Sequence, residues 1–289
     1  MSDIAIENVS DTAFWIAHYR GLEAERPDAL FHDPLASMLA GNRGRAIAQS
    51  MPGGPLTSWS VVIRTCLIDD YIMKSIAEGI DTIVNLGAGL DTRPYRMDLP
   101  ANLEWIEVDY PHVIDFKEQR LATQAPRCRL MRLKADLTSE KERTEVFAHL
   151  APKARTTLVL TEGVVPYLNL DEAAALADAL AAIGVRYWIV DYFAPEMARF
   201  RQTQIGRKMR NAPLRFFPKD WEGFFARHGW RCKELRYLSE EGDRLRRQPK
   251  VPLLMLAAVA VRYIFASPAQ RERLRKYMGY ARLEHASEI

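Results

Sequence analysis

One short apolar run that ends in Gly-x-Gly constrains this chain more than any other feature. Thr82-Ile-Val-Asn-Leu86 is too short for a helix and reads as a strand buried on both faces. Gly87-Ala-Gly89 follows at once, then Leu90-Asp-Thr-Arg93. A parallel sheet opens its ligand crevice at such a turn, because glycine tolerates positive φ and lets a ligand approach the backbone. Further apolar runs at 103–108, 128–133, 156–160 and 186–190 are separated by helical patterns, among them an Ala-rich helix over 171–183 with Gly184 as C-cap. Strands alternating with helices require right-handed crossovers, so the expected fold is α/β, a doubly wound and mostly parallel sheet.

The flanks differ. Residues 1–80 read as helices and loops: a helix over 12–20 capped by Ser10 or Asp11, a Pro/Gly break at 51–55, and an amphipathic stretch over 58–77. After residue 193 come a basic segment, a helix containing Trp221, and strand candidates at 230–238 and 278–284, which would end the sheet as an antiparallel pair. The organisation expected is one domain over 1–289, with a helical N-terminal cap (1–80), a ligand-binding core (81–193), and a C-terminal lid with terminal strands (194–289).

Composition excludes several classes. With 289 residues, 48% apolar and 27% charged, the chain can bury a sizeable core without disulfide or metal staples. A net charge of +3 is too small to argue for nucleic acid. Cys66, Cys128 and Cys232 form no CxxC pair, which argues for reduced thiols in the cytoplasm and for no metal site. The acidic start has no apolar signal core, and the longest apolar run, 251–261, is shorter than the roughly 20 residues that cross a bilayer. That run follows Arg244, Arg246, Arg247 and Lys250, so it reads as buried lid packing, with a membrane-surface or dimer contact as the alternative. Residues 199–250 hold fifteen Lys+Arg against six Asp+Glu, either a solvated face or a lid that attracts an anionic substrate.

Asp109 ends the second strand, 22 residues beyond Gly87, where a carboxylate accepts both hydroxyls of a ribose. A nicotinamide cofactor and S-adenosylmethionine both present such a ribose. Thr92 replaces the third glycine of a GxGxxG pattern, which hinders a pyrophosphate at the helix N-terminus. S-adenosylmethionine carries no phosphate, and the terminal antiparallel pair also suits a methyltransferase. An NAD-dependent oxidoreductase, or a non-catalytic cofactor-binding or membrane-associated protein, remain the alternatives.

At this point the residues carry a resemblance. The chain resembles the leucine carboxyl methyltransferase-like family of S-adenosylmethionine-dependent O-methyltransferases. The segments that carry it are Ser10-Asp-Thr-Ala13, Asp33-Pro34, Arg64-Thr65 with Asp69-Asp70, and Leu86-Gly-Ala-Gly-Leu-Asp-Thr-Arg93. Further ones are Glu107-Val-Asp-Tyr-Pro111 with Lys117, Ala135-Asp-Leu137, and Glu162-Gly-Val-Val-Pro-Tyr-Leu168. The resemblance implies a seven-stranded class I methyltransferase sheet and a set of cofactor-binding residues. Arg64 would grip the methionine carboxylate, a two-bond task suited to guanidinium. Gly87 and Gly89 would line the cofactor, Asp109 would hold the ribose, Asp136 with the Leu137 backbone would face the adenine, and Glu162 would lie near the amine. The family's N-terminal lysine has no counterpart; Tyr19-Arg20 stand there instead.

Methyl transfer from a sulfonium disperses charge, so alignment and desolvation supply most of the acceleration. A carboxylate acceptor, with pKa about 4, arrives ionised and needs no base; a phenol, with pKa about 10, needs one. His18, His32 and His112 have no spacing that designates a base. That agrees with what the resemblance implies, so the acceptor expected is a small-molecule carboxylate, with Arg20, Tyr167 and Tyr192 as the candidates that position it.

Overall fold

The computed structural model describes residues 6–250 and 267–286; the run 251–261 lies outside the described residues. Seven strands form one sheet in the order β3-β2-β1-β4-β5-β7-β6. They are β1 (Thr82–Leu86), β2 (Glu104–Asp109), β3 (Arg129–Lys134), β4 (Thr157–Thr161), β5 (Tyr187–Phe193), β6 (Trp230–Tyr237) and β7 (Met278–His285). The first five are parallel, and β7 runs antiparallel between β5 and β6. The doubly wound sheet and its antiparallel end therefore match the expectation. The late pair is not joined directly, however: helices lie between β6 and β7.

In chain order the helices are α1 (Val9–Ala24), α2 (Pro34–Ser50), α3 (Gly54–Ala77), α4 (Arg93–Arg96), α5 (Pro111–Arg120), α6 (Glu140–Leu150), α7 (Leu170–Ala182), α8 (Gln204–Lys208), α9 (Trp221–Arg227), α10 (Leu238–Arg244) and α11 (Pro268–Arg275). Helix α1 starts earlier than its candidate caps. Asn8 takes the capping role by accepting from the Asp11 N–H, while the Asp11 carboxylate accepts from the Glu7 N–H at 2.8 Å. Helix α3 also starts early, because Pro55 suits the first turn, where no N–H is needed.

Period-two alternation places the strand side chains on two faces. On one face Ile83, Trp105, Leu158 and Ile189 meet Ile63, Leu67, Ile68 and Tyr71 of α3. On the other, Val84, Val108, Val159 and Trp188 meet α6, α7 and the Trp221, Phe224 and Phe225 rings of α9. Helix α3 is thus a layer of the sheet sandwich rather than part of a cap, and α1 with α2 forms the cover.

Part of the basic late segment is matched from within. Arg236 pairs with Asp70 of α3 and Glu241, Lys233 with Glu78, and Arg247 with Glu23 and Asp28. The local charge excess docks the late chain onto α1 and α3, which accounts for those cations without an external anion.

A second pairing is fully buried. Lys117 of α5 and Glu107 of β2 are 2.6 Å apart with neither side chain exposed, and Arg132 of β3 reaches the other carboxylate oxygen at 2.9 Å. Removing one partner of such a set leaves an undercompensated buried charge. Lys117→Met should therefore lower the unfolding free energy by about 3–5 kcal/mol in urea titration. A loss under about 1 kcal/mol, the range of a surface pair, would refute this account.

Candidate functional site

A cavity of about 250 Å³ opens at the C-terminal ends of β1, β2 and β4. Its floor is the turn 87–91 after β1, its sides are Asp109, Tyr110, Leu137 and the turn 162–164 after β4, and α1 covers it with Thr12, Ala13 and Ile16. Gly87 (φ 70°) and Gly89 (φ 46°) both adopt the left-handed region. A Cβ on Gly87 would lie 2.5 Å from Val164 Cγ2, and one on Gly89 3.1 Å from Ala13 Cβ. The turn needs glycine both for its conformation and for close approach.

Asp109 is buried at the rim of this turn. Its carboxylate accepts from the Gly89 N–H at 2.6 Å and the Tyr110 N–H at 2.7 Å. Burial pushes its pKa up, and those two N–H groups offset part of the rise. Each carboxylate oxygen retains accepting capacity towards the cavity.

Opposite lies a charged wall. Glu162, just past β4, sits 2.9 Å from Arg64 Nε and accepts from Arg93 Nη1 at 2.8 Å. Burial alone would raise the Glu162 pKa, but Arg93 and Arg64 overcome it and hold the group below the ordinary carboxylate range. Arg93 also pairs with Asp69 of α3 and with Asp91, whose carboxylate accepts from Asn85 Nδ2 at 2.8 Å.

The expected site residues separate into those at the cavity and those away from it. Arg64, Gly87, Gly89, Asp109, Leu137, Glu162, Arg20 and Tyr167 all line it. Arg20, however, is tied down, donating to Asp33 at 3.0 Å and to the Leu90 carbonyl. Tyr167 lies under α1, and burial raises its pKa. Two residues stand elsewhere. Asp136 turns one carboxylate oxygen, Oδ1, to a local turn, accepting from Thr138 N–H at 2.8 Å and Oγ1 at 2.6 Å, and the wall is lined by Ala135 and Leu137. Tyr192 packs edge-on to Trp221 and Tyr237, both at 5.5 Å. Strand parity explains this: in β5, Trp188, Val190 and Tyr192 face α9, whereas Ile189 faces α3. Asp91, Arg93 and Asn85 were within the motif read from sequence, yet their roles need the fold. Among the described residues no group of three His, Cys, Asp or Glu side chains is placed to hold a metal.

The wall fits an adenosyl amino acid. Asn85 Oδ1 is buried without a hydrogen-bond partner among the described residues, and Arg64 Nε, although close to Glu162, is not in hydrogen-bond line with it. An acceptor and a guanidinium thus face the cavity beside a glycine floor and a rim carboxylate. The leucine carboxyl methyltransferase family model matches residues 13–181. This chain belongs to that family. A relative from Parafrankia assigned as an S-adenosyl-L-methionine-dependent methyltransferase is 34% identical over 78% of each chain. A second, from Frankia alni, is 32% identical over 87% of this chain and 93% of its own. Two solved structures share the fold: a DUF574 family protein from Streptomyces avermitilis (TM-score 0.54, 15% identity, 93% and 96% of the chains covered) and a methyltransferase-like protein from Thermobifida fusca (0.55, 13%, 93% and 94%). The cofactor of the family is S-adenosylmethionine, which sets aside the nicotinamide alternative.

Gly87→Ala tests the floor. The methyl would meet Val164 and strain the turn by about 1–3 kcal/mol. Calorimetry should show S-adenosylhomocysteine binding weakened by about tenfold or more, the equivalent of about 1.4 kcal/mol. Unchanged affinity would mean the cofactor does not approach this turn.

Proposed function

We propose that this methyltransferase transfers the methyl group of S-adenosylmethionine to a carboxylate of a small-molecule acceptor. Its three separated cysteines, Cys66, Cys128 and Cys232, are free thiols, which fits a reducing cytoplasmic setting. When bound, the cofactor supplies an electrophilic methyl on a sulfonium. Asp109 would accept the ribose hydroxyls, Arg64 would hold the methionine carboxylate through its Nη groups, and Glu162 with Asn85 would accept from the amine. Leu137 and Ala135 would border the adenine.

The observation that carries the acceptor class is the state of the acids and bases in the wall. Asp91 and Glu162 are engaged by N–H donors, Asp109 would be taken up by the ribose hydroxyls, and burial raises the pKa of Tyr110 and Tyr167, so neither phenol ionises readily. Among the described residues no histidine lines the cavity; His112 stands at its margin, against Ser10 and the Tyr110 ring. Such a wall orients and desolvates an acceptor that arrives already ionised, and it leaves proton removal to none of its groups.

Methyl-labelled cofactor offered with panels of carboxylic acids and phenols tests this reading. Label should enter base-labile esters; label confined to base-stable ethers would overturn the carboxylate assignment. Asp109→Ala should weaken S-adenosylhomocysteine at least about tenfold, since two hydrogen bonds to a charged acceptor are lost at roughly 1.5–3 kcal/mol each. Arg64→Lys should also bind poorly, because an ammonium cannot reproduce the planar fork. Parent-like affinity in either folded variant would remove that residue from the cofactor site.

A further inference from the structure

We infer that Asp191, together with Tyr280, is a positioning residue for the amino-acid end of the cofactor: it pins the turn that carries Glu162, and its charge opposes that of the cofactor carboxylate at Arg64. This rests on the assignment of Arg64 to that carboxylate. Asp191 lies near the end of β5, 3% exposed, and takes no part in the chemistry described above. One carboxylate oxygen accepts from the Gly163 N–H at 3.0 Å, and the other from the Tyr280 hydroxyl at 2.7 Å. Tyr280 is its partner across the β5–β7 ladder and is itself 3% exposed. Gly163 stands between Glu162 and Val164, which both line the cavity, so Asp191 links the last strand of the sheet to the cavity wall.

The groups facing Asp191 come from four places: Arg64 from α3, Glu162 and the Gly163 N–H from the turn after β4, Tyr167 beyond that turn, and Tyr280 from β7. Burial is the largest influence and raises the Asp191 pKa to about 6, against the Tyr280 hydrogen bond, Arg64 and the Gly163 N–H; Glu162 adds to the rise. Burial also raises the Tyr280 pKa, so its hydroxyl stays a donor. The amino-acid end brings a carboxylate to Arg64 and an ammonium to Glu162; Arg64 acts on Asp191 more strongly than Glu162 does, so the carboxylate's repulsion of Asp191 outweighs the ammonium's attraction. Protonating Asp191 relieves that repulsion, so binding is accompanied by proton uptake and is tighter on the acid side. In the ligand-free protein the sign is the same. A folded pKa above the ordinary value contributes stability that is present below about pH 4 and is lost as pH rises through about 6.

The test is calorimetry from about pH 5 to about pH 8 with two ligands. S-adenosylhomocysteine carries the amino-acid carboxylate, and methylthioadenosine shares its adenosine but lacks that end. The parent should lose at least about fivefold of its S-adenosylhomocysteine affinity over this range, the low end of coupling between sites, and methylthioadenosine should show no such loss. Asp191→Asn keeps one oxygen to accept from the Gly163 N–H, while the Tyr280 hydroxyl can turn to accept from the new NH2; this variant should bind without the slope. Tyr280→Phe removes a donor to the carboxylate and should move the midpoint to higher pH. Equal slopes for both ligands, or an undiminished slope in Asp191→Asn, would overturn the inference. If Asp191→Asn fails to fold, the ligand comparison and the Tyr280→Phe midpoint decide it. Absence of S-adenosylhomocysteine binding at every pH would overturn the cofactor reading itself, whereas binding without a slope overturns this inference alone.

Discussion

The Arg93 guanidinium, 1% exposed, is the interaction on which the rest of this site depends. It joins Asp69 of α3, Asp91 of the glycine turn and Glu162 past β4. A buried arginine is tolerable only when its donors are taken, so α3, the turn and the end of β4 must converge where they do. Arg96 shares Asp69, and Asp33 accepts from both Arg20 and Thr92, which carries the same constraint outward to the cover helices. Such a network contributes less net stability than an apolar core of the same volume. Its consequence here is placement: the cavity wall is built from charges that hold one another.

That placement shapes what the wall can do. Glu162 is held below the ordinary carboxylate range by two guanidinium groups, while Asp109 and Asp191 are pushed up by burial. Two carboxylates of the cavity wall and a third behind it therefore differ in their response to a ligand, according to which neighbours each has. The late part of the chain takes part through β7, whose Tyr280 reaches Asp191, and through basic side chains that dock on acids of α1 and α3. The antiparallel strand and the glycine turn are distant in sequence, yet they meet through the turn 162–164.

Much of this was legible in the sequence because it depends on local chemistry. Glycine is required where a turn needs positive φ, apolar runs mark buried strands, and Asp109 falls at the end of the second strand. These set the α/β class, the position of the crevice and, in its lining, Gly87, Gly89, Asp109 and Tyr167; Arg64, Leu137 and Glu162, which also line it, were implied by the resemblance to the family. That resemblance also implied the seven-stranded sheet, which the structure shows, and the cofactor, which the family match and the relatives bear out.

What only the tertiary structure decided is which side chains meet. Tyr192 and Asp191 are neighbours in sequence, but strand parity turns one towards the aromatic rings of α9 and the other towards Arg64 and Tyr280. Asp136 stands in the right motif but turns one carboxylate oxygen to Thr138, a competition between local and distant partners that sequence does not resolve. Arg20 lines the cavity yet is committed to Asp33 and Leu90. The physical reason is common to all three. Residue type and spacing determine which groups a segment can offer, whereas hydrogen bonds and ion pairs are satisfied by partners brought from other elements, and those partners exist only once the sheet is assembled.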